Sequence, residues 1–428
     1  MNIIQIIPGS GGSFYCGNCL RDSKFFYALR DTGHEVTKIP MYLPLFSDEH
    51  DLSDIPVFYG AISTYLKQLY PIFRKAPAWF DKLLNSKPML KLAASQAGST
   101  RAKGLEDMTI SMLLGEEGKQ KDELHHMLNW MAEHCKPDIV HLSNALLLGL
   151  AGPIRERLQT KIVCSLQDED VWVDVMHEGI RQKIWNLMSE KAKDVDLFIS
   201  VSDYFKGVSL DRMQIPSEKI KIIHLGVDAA DYSFKNATEK PRNIGYISRM
   251  NPDNGFDIVT EAFIQLKKQK GFDDVGLVLT GGHTGDDKKF IHQQKKLMAE
   301  NNLMDKVEFI DEFEGEARQE FFNKVAVLSV PVKNGEAFGI YLTEALAAGI
   351  PVVQPKLGAF PEIVDISKGG LIYYPNTAEK LAESLALLFN NKDKLSQLSI
   401  NGHRSIEDHF NIHKLSDKMI AEYQQLLT

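Results

Sequence analysis

The sequence predicts an α/β protein of two Rossmann-like, doubly wound domains facing each other across a cleft, with a helical insertion in the N-terminal domain. Three observations predict it. Short apolar runs such as Ile3-Ile4-Gln5-Ile6-Ile7 read as strands covered on both faces, as in parallel sheets. These runs alternate with helical stretches in both halves of the chain. A polar, charged stretch at 229–242 separates the halves, and 428 residues leave each half large enough for its own core.

The first strand, 3–7, leads into Pro8-Gly9-Ser10-Gly11-Gly12-Ser13 and then a helix through Leu20, Phe25, Phe26, Ala28 and Leu29. Gly33 stops that helix and strand character returns at 36–40, which makes a β–α–β unit with glycines at its first turn. Further strands are predicted at 139–142, 162–166, 197–201 and 220–224. Between 47 and 136 the alternation breaks, and Phe58, Tyr59, Tyr65, Tyr70, Phe73, Trp79 and Phe80 crowd the segment. A stretch this long has structure of its own, here a helical insertion that packs its own core and can carry substrate specificity. The second series predicts strands at 243–248, 276–280, 307–310, 325–330, 351–354 and 370–373. Helices are predicted between them, among others at 257–270, 288–301, 340–348 and 378–390. A last helix at about 413–428 is expected to rejoin the first domain. The domains are therefore 1–230 with that helix, and 231–412.

The composition, 44% hydrophobic and 25% charged, is that of a globular protein, and the net charge of -8 argues against a general nucleic-acid binder. The N-terminus lacks the basic and apolar regions of a signal peptide. The most apolar later stretch, 145–154, falls far short of the ~20 residues that span a bilayer. The expected location is cytoplasmic, with no transmembrane segment and room for peripheral membrane contact. Lys67, Arg74 and Lys75, interleaved with Tyr70, Phe73 and Trp79, could meet lipid headgroups, but a helix packed on its aromatic side explains them as well. Cys16 and Cys19 have redox spacing. No second pair follows, so the favoured reading is two small residues in a loop-to-helix turn. His409 and His413 have the spacing of one helix face, without a third ligand in view, and are read as surface histidines. Asp168-Glu169-Asp170 has the form of a metal-binding acidic triplet but is read as an acceptor-side or capping cluster. No metal site is expected.

The most informative stretch is 335–351. A strand precedes it, and Gly349 and Pro351 end the helix within it. The N–H groups of Phe338, Gly339 and Ile340, at the helix N-terminus, make an anion site. Glu344 lies four residues on, roughly 6 Å along the axis, where a carboxylate can accept from two adjacent ribose hydroxyls. Glu336, on the other side of the anion site, could accept from hexose hydroxyls. The pattern suits a nucleotide-sugar held at both ends.

These residues resemble a known family. Glu336-Ala337-Phe338-Gly339-Ile340 and Glu344-Ala345-Leu346-Ala347-Ala348-Gly349-Ile350-Pro351 are similar to the E-x7-E motif of the group 1, family-four retaining glycosyltransferases of the GT-B fold. So is Gly358-Ala359-Phe360-Pro361-Glu362-Ile363-Val364. The loop with Gly11 and Gly12, the border Leu225-Gly226-Val227-Asp228 and the strand Gly245-Tyr246-Ile247-Ser248-Arg249 resemble the family's other signatures in order. The resemblance implies an acceptor-side N-terminal domain and a donor-binding C-terminal domain. It implies that Gly11 and Gly12 approach the donor pyrophosphate, Arg249 holds the leaving diphosphate, Glu336 orients the donor sugar and Glu344 binds the ribose. Phe338, Gly339 and Ile340 would offer N–H groups to sugar and phosphate. No cofactor or metal is implied, since cationic side chains and a helix dipole neutralise the leaving group.

The sequence departs from the family in three places. Asn254 stands where a lysine is usual, with Lys333 and Lys356 as candidate substitutes; Ser143 stands in place of a histidine; and Ser165-Leu166-Gln167-Asp168 replaces a common His-Asp. Ser143, Gln167 and Asp168 are the acceptor-side candidates. The expected activity is retaining transfer of a sugar from a nucleoside diphosphate sugar to a carbohydrate or glycolipid-type acceptor. A nucleotide-sugar epimerase and a binding homologue without turnover remain as alternatives.

Overall fold

The computed structural model describes residues 1–8, 17–41 and 104–428. The calls on Gly11, Gly12, Cys16, the Cys19 side chain, the aromatic run from Phe58 to Phe80, and Lys67, Arg74 and Lys75 lie outside the described residues. The chain divides into two compact units. One is built from the strand Asn2–Ile7, residues Asn18–Ile223 and Ser416–Thr428; the other is His224–Leu415.

The first unit holds β1 (Asn2–Ile7), β2 (Glu35–Pro40), β3 (Ile139–Leu142), β4 (Lys161–Leu166), β5 (Leu197–Ser200) and β6 (Ile220–Ile222), in the order β2-β1-β3-β4-β5-β6. All neighbours are parallel. The order reverses between β1 and β3. The second unit holds β7 (Asn243–Ile247), β8 (Gly276–Thr280), β9 (Val307–Phe309), β10 (Val327–Leu328), β11 (Val352–Pro355) and β12 (Gly370–Tyr373), in the order β12-β11-β10-β7-β8-β9. It is also parallel throughout and reverses between β7 and β10. In such sheets the ends of the two strands flanking the reversal leave a crevice, where ligands bind.

Helices cover the sheets for the reason the alternation gave. In Phe256–Lys267, Phe256, Val259, Phe263 and Leu266 recur at helical spacing and are all buried. Strand β10 is shorter than the predicted 325–330. Ser329 still donates its N–H to the Gly245 carbonyl (3.0 Å), but the Val330 N–H goes to the Gln354 side chain (3.3 Å) and Pro331 has no N–H to give. The described part of the insertion is helical, at Glu106–Leu113 and Lys121–His134. The second of these buries Leu124, Met127, Leu128 and Met131.

The stretch 229–242, expected as a polar linker, is part of the second unit instead. Tyr232, Ala237 and Lys240 are buried. The Lys240 ammonium donates to the Ala348 carbonyl (2.8 Å) and to that of Phe322 (3.0 Å), closing the C-terminus of helix Ile340–Ala347 with a positive charge. Its burial lowers its pKa to about 8, with a smaller contribution from Lys235. His409 and His413 do not share a helix. Helix Lys392–His409 ends at the first, and helix Ile412–Leu427 starts anew, with the His413 imidazole 3.0 Å from Asp228. That last helix crosses the division of the chain, its first four residues counting with the second unit and the rest with the first. Among the described residues, no helix is long and apolar enough to cross a membrane.

Candidate functional site

In the second unit the segments after the two strands flanking the reversal carry Arg249, expected at the diphosphate, and Glu336, expected at the sugar. Arg249 follows β7. Its Nε donates to Asp287 Oδ2 (2.8 Å), and its Nη2 donates to Asp287 Oδ1 (3.0 Å) and Thr284 Oγ1 (3.0 Å). This bidentate clamp fixes the plane of the guanidinium. Burial alone would raise the Asp287 carboxyl, but Arg249 together with the Thr284 N–H and hydroxyl overcomes that and holds it below its ordinary value. Asp287 is therefore an anion that keeps Arg249 in place.

The turn carrying Arg249 is braced by Asn254. Its Nδ2 donates to Ser248 Oγ (2.8 Å) and to the Arg249 carbonyl (3.2 Å), while Tyr246 Oη donates to the same carbonyl (3.0 Å). Asn254 thus shapes the loop and brings no charge to it. Lys333 pairs with Asp257 at 2.6 Å. Lys356 is exposed two residues before Gly358.

Glu336 follows β10 on a loop whose course depends on glycine. Gly358 has φ +56, and a Cβ there would lie 2.4 Å from the Glu336 nitrogen and 2.5 Å from its carbonyl oxygen. Only glycine lets the two loops pass at that distance. The Ala359 N–H donates to the Glu336 carbonyl (3.0 Å), and the Tyr341 hydroxyl donates to Glu336 Oε2. Gly339 has φ +89 at the N-cap of helix Ile340–Ala347. Phe338, Gly339 and Ile340 therefore lie at that helix's N-terminus. The Phe338 ring is buried beside His224 and Phe410. His224 Nε2 lies 2.8 Å from Glu362 Oε1.

Glu344 is fully buried, at 0% exposure. Its Oε1 accepts from Tyr232 Oη (2.7 Å) and Arg318 Nη1 (3.1 Å). Burial and the Glu344 carboxylate push the Tyr232 phenol well above its usual pKa.

In the first unit, Ser143 and Gln167 do come together, at the ends of β3 and β4. Gln167 Nε2 and Arg21 Nη2 both donate to the Ser143 carbonyl at 2.9 Å. Among the described residues, Ser143 Oγ, Gln167 Oε1 and Arg21 Nη1 are buried without a hydrogen-bond partner. Beneath them His141 lies between Tyr423 Oη (2.6 Å) and Ser165 Oγ (2.8 Å), and burial, with Arg21, lowers its pKa to about 3, so the imidazole is neutral. Asp168 follows Gln167 directly. It occupies the N-cap of helix Glu169–Val173 with φ +54, and its side chain makes no cap to it. The acidic triplet does not form a group able to hold a metal ion. Glu169 turns inward, where its two oxygens accept from Ala145 N–H (2.8 Å) and Gln167 N–H (2.7 Å). Among the described residues, no group of three or more His, Cys, Asp or Glu could hold a metal ion.

Burial raises the Glu169 pKa to about 8 against the pull of those N–H groups, and Asp168 adds to the rise. A folded pKa above the unfolded one gives stability that is complete below about 4.5 and lost as pH climbs through about 8. Urea midpoints from pH 5 to 9 are therefore expected to fall in the wild type relative to Glu169→Gln, by a few kcal/mol of unfolding free energy. A constant difference between the two would show that Glu169 stays ionised across the range.

Sequence reasoning missed Tyr232, Asp287, Thr284, Arg318, Tyr341 and Arg21. Tyr341 lies inside the 335–351 motif, five residues from the Glu336 it holds. The other five lie in none of the donor-site motifs, and each is identified only by the partner that folding brings to it.

Residues 228–405 match the model of the glycosyl transferases group 1, and residues 115–231 match that of glycosyltransferase family 4. A putative colanic acid biosynthesis glycosyltransferase of Escherichia coli is 28% identical over 239 residues, 54% of this chain and 57% of its own length. The lipopolysaccharide core biosynthesis mannosyltransferase of Rhizobium meliloti is 25% identical over 224 residues, 52% of this chain and 60% of its own length. The chain thus spans less than two thirds of either relative. Among solved structures, Anabaena HepE in complex with UDP and glucose superposes with a TM-score of 0.69 at 16% identity, covering 99% of both chains. Sucrose-phosphate synthase from Thermosynechococcus elongatus gives 0.69 at 16%, covering 100% of this chain and 99% of that one. At that identity the likeness shows the fold, a two-domain GT-B architecture.

Proposed function

We infer, since the chain belongs to the group 1 glycosyltransferases, that it moves a hexose from a nucleoside diphosphate sugar to a hydroxyl of a carbohydrate or glycolipid-type acceptor, with retention and without a metal. The observation that carries this is the pairing of Arg249 after β7 with Glu336 after β10, at the one reversal of strand order in the second unit.

The reaction breaks the bond between the anomeric carbon and the diphosphate oxygen and makes one from that carbon to the acceptor oxygen on the same face. The acceptor proton passes to the departing phosphate. Negative charge grows on that phosphate, and this chain meets it with a preset cation and a helix N-terminus. Arg249 is locked by Asp287 and needs no reordering as the charge develops. Phe338, Gly339 and Ile340 bring their N–H groups to the same region. Glu336 accepts from the sugar and Glu344 from the ribose. Arg21, Ser143 and Gln167, with their unpaired polar atoms, line the acceptor side. Relatives named for colanic acid and lipopolysaccharide core synthesis support a saccharide acceptor, and the UDP and glucose in HepE support a nucleotide-sugar donor. Asn254 favours a second reading, a protein that binds donor and turns it over slowly, because its amide serves the loop and leaves one cation fewer for the phosphate.

Thermal shifts with UDP-, GDP- and ADP-sugars test the proposal. A cognate donor at 100 times its Kd adds about 2.7 kcal/mol, which raises the midpoint by roughly 5–10 °C. Nucleotide release from that donor is expected to persist in EDTA. If no donor moves the midpoint, the donor-site reading falls; binding without release for any offered glycan selects the second reading.

A further inference from the structure

We propose that Tyr232 and Arg318 are positioning residues that set the ribose selectivity of the donor site through Glu344. The inference rests on the donor-site reading above and adds two residues that lie in none of its motifs.

Two separate segments meet at one carboxylate oxygen. Tyr232 directly follows the turn Ala229–Asp231, and Arg318 lies on helix Gly315–Lys324. Both donate to Glu344 Oε1, at 2.7 and 3.1 Å. The two segments are tied to each other as well. The Tyr232 ring packs edge-on against Phe322, with centroids 5.8 Å apart, and the Gln319 amide donates to the Asp231 carbonyl. Arg318 is held at its other end, where Nε donates to the Phe313 carbonyl (2.9 Å). A carboxylate with two donors fixed on one oxygen cannot rotate about its terminal bond without losing both. The guanidinium also compensates a negative charge that no water reaches, so Glu344 can serve as an anionic acceptor in a dry site.

A carboxylate so oriented presents a defined edge to a pair of adjacent hydroxyls. Glu344 is wholly covered in the free chain, so a ribose reaches that edge as the side chains over it move aside, while Tyr232 and Arg318 stay on Oε1. The selectivity for ribose over deoxyribose then depends on donors that never touch the nucleotide.

The test compares UDP with 2′-deoxy-UDP, and GDP with 2′-deoxy-GDP, by calorimetric titration of the full chain. For the base that binds, the wild type is expected to prefer the ribonucleotide by about tenfold or more, the value of a hydroxyl donating to a charged acceptor. Tyr232→Phe removes one hydroxyl without changing shape. It is expected to cut that preference severalfold and leave the deoxynucleotide Kd within about twofold. Arg318→Lys keeps the charge and is expected to retain more of the preference than Arg318→Met. Should Arg318→Met fail to fold, Tyr232→Phe and Arg318→Lys still decide the matter. An unchanged preference in both, or an equal loss for both nucleotides, overturns the proposal. No preference in the wild type, or none lost in Glu344→Gln, overturns the ribose assignment instead.

Discussion

Glu344→Ala is expected to lose nucleotide binding and to lower the unfolding free energy by about 3–5 kcal/mol, the cost of leaving one member of a buried ion pair alone. Glu344 is wholly buried, and the Arg318 side chain opposite it is 13% exposed. Alanine would strand that guanidinium beside a new void and leave the buried Tyr232 hydroxyl without its acceptor. The double variant Glu344→Met with Arg318→Met replaces the pair by apolar side chains of similar bulk. It is expected to recover most of the stability and none of the binding, because replacing both members removes the uncompensated charge. Urea unfolding monitored separately from nucleotide titration would distinguish the two effects. A single variant within 1 kcal/mol of wild type, set against the ~3–5 kcal/mol expected, would mean that solvent screens the pair and that Glu344 carries little of the architecture.

Gly358→Ala is expected to lower sugar transfer by about a hundredfold or more, with nucleotide affinity changed little. Its Cβ would fall 2.4 Å from the Glu336 nitrogen, closer than a Cβ comes to a non-bonded backbone atom, so one loop must move. A displacement near 1 Å of a positioning group costs on the order of 10²-fold in rate. The displaced residue is the one assigned to the sugar, whereas Glu344 is held on the helix that follows and Arg249 lies after β7. The diagnostic result is a split, with transfer falling and the Kd of the nucleoside diphosphate preserved. Equal losses in both would place the Glu336–Gly358 contact in the framework of the whole donor site.

The strands and the 335–351 motif were legible because they depend on local patterns. A run buried on both faces is apolar whatever its neighbours are, and a helix that starts at Gly339 and stops at Gly349 shows both ends in its residues. The environment of the site was not legible, because its partners come from far along the chain. Asp287 is 38 residues from Arg249, and Tyr232 is 112 from Glu344. Tyr232 and Lys240 were hidden for a further reason. They sit in a stretch whose composition is that of a solvated linker, and composition does not reveal that a tyrosine hydroxyl and a lysine ammonium have been taken inside to serve a carboxylate and two carbonyls. The strand at 325–330 was read too long because its apolar residues continue past the point where Pro331 and the Gln354 side chain end the ladder. Asn254 was read as a missing charge at the phosphate, and its geometry gives it a different task, that of shaping the Arg249 turn.

The last helix bears on the order in which the molecule is made. Tyr423 supplies the hydroxyl that holds His141, and 282 residues separate the two. At translation speeds of about 5–20 residues per second, His141 waits roughly 15–60 s for its partner. During that interval the whole stretch from His224 to Leu415 emerges. The unit that is begun first is therefore completed only after the second unit has emerged. Until then it lacks Met419, Ile420 and Tyr423, all buried in the finished fold, and its incomplete core is expected to be open to chaperones for that interval.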